Sequence, residues 1–460
     1  MLKIGFGQAD ITPRGGKLSL RGQFEERITD NIHDPLQAVA MAVVSENARS
    51  IYVGIDLLQI FKQNSEYIFE EVKKAVPDLK ENELCISATH IHTGPDLLID
   101  TYLSITADRS EPKSALTCAE CLKQVAAGIA KAVREALDSL EEARAEIAIA
   151  RIQTGVNRRI TYKDNTGAMY GNPHLKNFYE QESRDGGPSQ FLYVYKAATD
   201  ELMGIVANVP CTAQCDEYAM YVTADYWGVV RGEIEEKLGK NVKLLPLCRA
   251  AGDLSPHNLV DGEAVEQKPV DLYHGRNCAL WLGGWIAENI IEFKDKTLQK
   301  YEGNVEHAQA MHKVDFPVWQ VTEAEYKWAK AYFADKKNFD ADGKPLSKFD
   351  NANADTRIRR YESGDKTYEC KIFGMRLGNI VLLTMPFEVY IEYADRIRMS
   401  HPELIFMDVQ LAYDSMGYLA TPPAVEHGHY SANIFNGVCS PEGGEKLVAE
   451  EIALAEELIK

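Results

Sequence analysis

Two histidines, His90 and His92, stand one residue apart in "CISATHIHTGPDLL", and the chain breaks straight afterwards at Gly94-Pro95. If the preceding run is a strand, residues two apart share a face, so both imidazoles leave the sheet together at a strand tip, where α/β proteins hold their sites. A neutral imidazole is a common Zn²⁺ ligand, and its neighbour can serve as an acid or a base; two polar residues on a solvated strand end would give the same pattern. In "CRAAGDLSPHNL", Pro256 pushes Ser255 out of the helical region and suits a first helical position, which makes Ser255 an N-cap with Asp253 as a second anchor. The same hydroxyl at a helix N-terminus is placed to touch an anionic or carbonyl oxygen. "GNIVLLTMPFEVYIEYADRIR" runs an apolar strand into Pro386 and sets Glu388 at the start of a helix that continues through Arg398. That carboxylate either complements the helix N-terminus or acts as a metal ligand or general base at the sheet edge. Tyr418 and Tyr430 flank His427 and His429 in "SMGYLATPPAVEHGHYSA", where the default role of a tyrosine is packing with a wet hydroxyl.

These residues need strands that end together and helices that cover them. The first hundred residues alternate β-rich runs ("ARSIYVGIDLLQI", "ELCISATHIH") with a helical stretch ("EYIFEEVKKAV"), and a long amphipathic helix follows in "ALTCAECLKQVAAGIAKAVREALDSL". Cys118 and Cys121 lie within that helix among alanines and read as core residues, since a lone CxxC is weak evidence of zinc. Further strands ("QFLYVYKA", "LMGIVANVP", "LLPLCRAAGD") and the helix "GRNCALWLGGWIAENIIEF" complete an α/β (α+β) pattern of mixed sheets under helical layers. The polar stretch 333–365 has little apolar periodicity and reads as an insertion or lid. With no internal repeat or low-complexity linker, the expectation is one large domain over residues 1–460.

The formal net charge of -19 repels phosphate backbones and anionic lipid, which argues against nucleic acid as a partner. No apolar run is long enough to span a membrane, and the start, "MLKIGFGQADITP", carries no secretory signal pattern. Nine scattered cysteines fit reduced thiols, so a cytoplasmic location is expected. The glycines of "GFGQADITP" lack a complete dinucleotide fingerprint.

Taken together, "GFGQADITP", "VGIDLL", "SATHIHTGP", "VNRR", "TADYWG", "AGDLSP", "MPFE" and "GYLATPPAVEHGHY" resemble the neutral/alkaline non-lysosomal ceramidases, zinc amidases that cleave the N-acyl bond of ceramide. The resemblance implies that His90, Glu388 and Tyr418 are metal ligands and that His92 contacts substrate or shuttles a proton. It implies that Tyr430 and Arg158 contact substrate, and that Ser255 matches the family's essential serine. The family's second histidine ligand is missing: its spacing from Asp225 falls on Cys211 in "NVPCTAQCDEY". A thiolate is a good Zn²⁺ ligand, so a His/Cys/Glu/Tyr site is expected; a weakened site, a different metal or no metal are the alternatives. About thirty residues follow Tyr430, where secreted members continue into a β-sandwich, so a bare catalytic domain is expected.

The implied function is a zinc-dependent amidohydrolase of sphingolipid metabolism, in which metal-activated water cleaves a linear amide. His92 would be the acid/base, with Arg158, Tyr430 and Ser255 orienting substrate and stabilising the oxyanion. A nucleophilic Ser255 is the less supported variant, because no His-Asp relay is visible beside it. Two rivals stand beside this: a hydrolase on the same scaffold acting on a water-soluble acylated or carbohydrate substrate, and a non-catalytic binding protein.

Overall fold

The computed structural model describes residues 2–97, 114–258 and 275–460. Helix and strand occur in near-equal measure, 33% and 31%, which bears out the mixed α/β (α+β) expectation. The larger sheet runs in the order Lys243–Cys248, Leu202–Val209, Ser189–Lys196, Glu141–Ala150, Lys3–Asp10, Gln37–Val44, Arg49–Ile55, Leu84–Ala88, with Gln299–Tyr301 added beside Glu141–Ala150. Its two terminal pairs are parallel and the connections between them antiparallel. The sheet curls, because its halves join through only two register pairs, Lys3↔Glu142 and Ile4↔Glu141. Its first edge then returns against Arg49–Ile55, where a Cβ on Gly54 would lie 2.4 Å from the carbonyl of Pro246.

Residue types alternate as a sheet buried on both faces requires. In "QAVAMAVV", Ala38, Ala40 and Ala42 join a core with the helices Lys62–Ala75, Cys118–Asp138, Tyr226–Leu238 and Gly275–Phe293. Val39, Met41 and Val43 face the other way, into a core shared with a four-stranded sheet (His307–Pro317, Thr367–Leu377, Ile380–Met385, Ile405–Gln410) and the helix Pro441–Ile459. Both faces are apolar, so these strands read in sequence as unbroken hydrophobic runs. Cys121 lies in the first core, as expected of it, while Cys118 at the helix start is half-buried.

Three local readings change. The strand carrying "CISATHIH" stops at Ala88, and His90 has φ +68°, a left-handed conformation uncommon outside glycine. The two histidines therefore share a face through a turn and not through strand alternation. The helix after Glu388 begins at Ile391, because Glu388–Val389 forms a short parallel bridge with Tyr418–Leu419. About half of residues 333–365 forms a helix, Lys348–Ser363, capped by the Ser347 side chain on Asp350 N; local capping sets this helix where apolar periodicity gave no signal. The helix expected after Pro256 would run into residues 259–274, which lie outside the described residues; Ser255 itself sits in a two-residue strand against Val156. Among the described residues, no helix is long and apolar enough to cross a membrane.

Candidate active site

Loops after four strands, Leu84–Ala88, Lys243–Cys248, Ile380–Met385 and Ile405–Gln410, converge on one place and are locked together by their own backbones. Ala88 N donates to Leu411 O, Leu411 N to Phe387 O, and Gly252 N to Val389 O. Register pairing sets Glu388 opposite Tyr418. Gly417, at φ +76°, makes this possible, since any Cβ there would lie 2.1 Å from the Asn436 carbonyl. Gly22 does the same for the far wall, where a Cβ would meet His92 at 2.7 Å.

The result is a cavity of about 120 Å³ lined by His90, His92, Glu388, Tyr418 and Tyr430 together with Arg21, Gln23, Phe24, Gln59 and Asn436. Five of the eight residues singled out in the sequence thus share one wall. The two imidazoles meet edge to face at 5.0 Å between centroids. His90 turns its Nδ1 to the Leu58 carbonyl at 2.8 Å, which leaves Nε2 facing Glu388 Oε2 at 3.4 Å. That carboxylate oxygen is buried and has no hydrogen-bond partner among the described residues. Burial keeps the His90 ring neutral by lowering its pKa, against the opposing pull of Glu388. Burial and Glu388 together push the Tyr418 phenol well above its ordinary value. A basic nitrogen and an orphaned carboxylate oxygen aimed at each other, with a phenol opposite, fit a cation-binding role for His90, Glu388 and Tyr418.

Cys211 is not in the cavity lining, although its loop touches the residue before His90, Ala213 N donating to Thr89 O at 3.3 Å. It is fully buried in the helix-covered core, and its thiol contacts the Thr212 carbonyl at 3.5 Å. Burial pushes the thiol well above its ordinary range. Among the described residues, no group of three or more His, Cys, Asp or Glu side chains is disposed to hold a metal ion.

Arg158 stands behind the tyrosines and is completely enclosed. Its Nη2 donates to Gly252 O at 2.9 Å and to the Tyr418 hydroxyl at 3.3 Å, and its Nη1 to the Tyr170 hydroxyl at 2.9 Å and Gln214 Oε1 at 3.3 Å. Ser255 Oγ meets the same Tyr170 hydroxyl at 3.3 Å and accepts the His257 N–H, away from the cavity lining. Tyr430 sits edge-on to Tyr418 and to Phe24, at 6.0 and 5.7 Å between centroids.

Sequence reasoning missed Tyr170, Gln214, Glu217 and His257. Tyr170 lies in a polar Asn/Gly loop that reads as a connection, and Gln214 and Glu217 follow a strand without any periodic signal. Only His257, two residues from Ser255, stood beside a motif already singled out.

Solved structures that share this fold include two ceramidases. "Ceramidase complexed with C2" superposes with a TM-score of 0.73 at 15% identity, covering 100% of this chain and 75% of that one. The neutral ceramidase from Pseudomonas aeruginosa gives 0.72 at 18% identity, covering 99% and 75%. A comparison of the sequence with curated proteins finds no match. The sequence profile "Neutral/alkaline non-lysosomal ceramidase, N-terminal" matches residues 2–240, more than half of the chain, which therefore belongs to the neutral/alkaline non-lysosomal ceramidase family.

Proposed function

We propose that this protein is a zinc-dependent amidohydrolase that cleaves the N-acyl linkage of a ceramide-like lipid in the cavity between His92 and Glu388. Membership of the ceramidase family makes the chain a hydrolase acting on amides. The observation that carries the finer reading is the buried Glu388 Oε2, without a hydrogen bond among the described residues, facing Nε2 of His90 at 3.4 Å beside Tyr418. His90, Glu388 and Tyr418 are the residues that would hold Zn²⁺, which when bound polarises a carbonyl and makes water acidic near neutrality.

The remaining residues have tasks of their own. His92 lines the cavity, and neither ring nitrogen makes a hydrogen bond among the described residues; its Nδ1 lies 3.6 Å from the Glu217 carboxylate, which leaves Nε2 to move a proton between the attacking water and the leaving nitrogen. Arg158, fixed by Gly252 and Tyr170, holds the Tyr418 hydroxyl in place, while Tyr430 closes the opposite side and orients the scissile amide. Ser255 supports this arrangement through Tyr170. The cavity has room for the amide and its neighbouring atoms, so acyl and base chains would extend outward past Phe24, whose ring is 53% exposed.

The polar side chains of Arg21, Gln23, Gln59 and Asn436 in the lining support a second reading, in which the substrate is a water-soluble acylated compound. Hydrolysis of short-chain N-acyl sphingosine measured beside that of acylated sugars separates the two. Purified protein is expected to contain zinc, and His90→Ala and Glu388→Ala to lose both zinc and hydrolysis. Retention of both in either variant would place the site elsewhere.

A further inference from the structure

Glu217 belongs to none of the motifs that define the site, yet it faces His92 directly. Its Oε2 lies 3.6 Å from His92 Nδ1, and its Oε1 lies 3.7 Å from Nε2 of His257. Gln23, which lines the cavity, donates to the same Oε2 at 3.2 Å. The carboxylate is buried, and although burial opposes ionisation, His257 and His92 hold its pKa down to about 2. It is therefore a negative charge held beside His92 Nδ1.

The backbone around it is equally constrained. Asp225, at φ +54°, caps the helix Tyr226–Leu238 and accepts from the amides of Cys215 and Asp216, which cinches the turn that presents Glu217. Arg27 then ties the two partners to each other, donating Nη1 to the Glu217 carbonyl at 2.8 Å and Nη2 to the His92 carbonyl. His257 is anchored in turn by its Nε2 contact with the Gln214 carbonyl at 3.1 Å. A carboxylate that serves only as counter-ion to a buried histidine has no need of a second imidazole on its other oxygen, or of an arginine that joins its own backbone to that of His92.

We infer that Glu217 is a positioning residue for His92: it draws the Nδ1–H toward itself and so presents the Nε2 lone pair to the substrate. Carboxylates that orient a working imidazole in this way fix both its tautomer and its ring angle. The inference rests on the proton-moving role proposed for His92. It predicts that Glu217 acts only through that ring.

A double-mutant cycle on short-chain N-acyl sphingosine, with the ¹⁵N chemical shifts of the His92 ring as a second readout, tests this. Glu217→Gln keeps the shape and the Gln23 contact, and is expected to lower kcat about 10–100-fold with KM within about twofold, as loss of an orienting carboxylate does elsewhere. In a His92→Asn background the same change is expected to cost less than about twofold more. The ¹⁵N shifts are expected to show the Nδ1–H tautomer in the wild type and a mixture in Glu217→Gln. Glu217→Asp, which keeps the charge but draws it back, is expected to fall between them and serves if Glu217→Gln does not fold. Equal losses in both backgrounds, a wild-type kcat, or an unchanged tautomer would overturn the inference. If His92→Asn retains full activity, or no amide is hydrolysed, the functional reading fails, and the tautomer alone then decides the role of Glu217.

Discussion

Arg158 shows how much the site depends on one planar side chain. Four acceptors surround its fork, two of them phenols and two amide carbonyls, and a lysine ammonium can meet only some of them. Arg158→Lys is expected to lower kcat/KM about tenfold or more and to cost about 2–4 kcal/mol of stability, because it strands buried acceptors; steady-state kinetics and urea unfolding measure the two. Glu451 is a second residue whose environment decides its chemistry. It is fully buried, and neither carboxylate oxygen has a hydrogen-bond partner among the described residues. Burial pushes its carboxyl well above the ordinary value, with the Asp408 charge adding to the effect. The group is neutral in the fold, whereas the unfolded chain ionises it at the ordinary value. Its contribution to stability is thus whole below that value and declines as pH rises toward the elevated folded one. Glu451→Gln should raise the urea midpoint at pH 8 and leave it nearly unchanged at pH 4; a midpoint lowered equally at both would refute this assignment.

At the scale of elements, the helix Lys348–Ser363 braces the site from outside. Arg360 on its last turn donates to the carbonyls of Val438 and Gly437 at 2.6 and 2.8 Å, and Gly437 bridges Gly417, the residue before Tyr418. Phe349 at its first turn packs on Phe435 and His429, the latter beside Tyr430. Arg360→Met removes the donor and leaves the Gly437 carbonyl in want of one, while the Val438 carbonyl keeps the Trp319 N–H, at a cost of about 1–3 kcal/mol. Its expected signature is a lower thermal midpoint together with a fall in kcat that exceeds any rise in KM, because Tyr418 loses its support. A thermal loss with unchanged kinetics would mean that the helix stabilises the chain without bracing the site.

For the whole molecule, the excess of acidic residues governs which surfaces it approaches. A chain at -19 is repelled by anionic lipid over about one Debye length. Hydrolysis of short-chain N-acyl sphingosine carried in phosphatidylcholine vesicles is expected to slow when phosphatidylserine replaces part of the carrier, and to recover as salt is added. A rate that rises with anionic lipid would point to a basic docking surface on this chain.

Much of this was legible in the sequence, and for a definite reason. Strand and helix identity follow from local periodicity, and residue type limits chemistry, but local pattern leaves His90, His92, Glu388, Tyr418 and Tyr430 open to structural roles; it is the joint resemblance of "SATHIHTGP", "MPFE" and "GYLATPPAVEHGHY" to the ceramidase family that marks them as site residues. The tertiary structure alone decided which side chains meet. His90 reaches Glu388 because two distant strand ends lock backbone to backbone and because one residue adopts a left-handed turn. Cys211, close in sequence to Gln214 and Glu217, is buried in an apolar core. Glu217 and His257 join the site through a carboxylate contact that no local pattern encodes. Burial and polar satisfaction are properties of the packed molecule, so they appear only once distant segments have excluded water together.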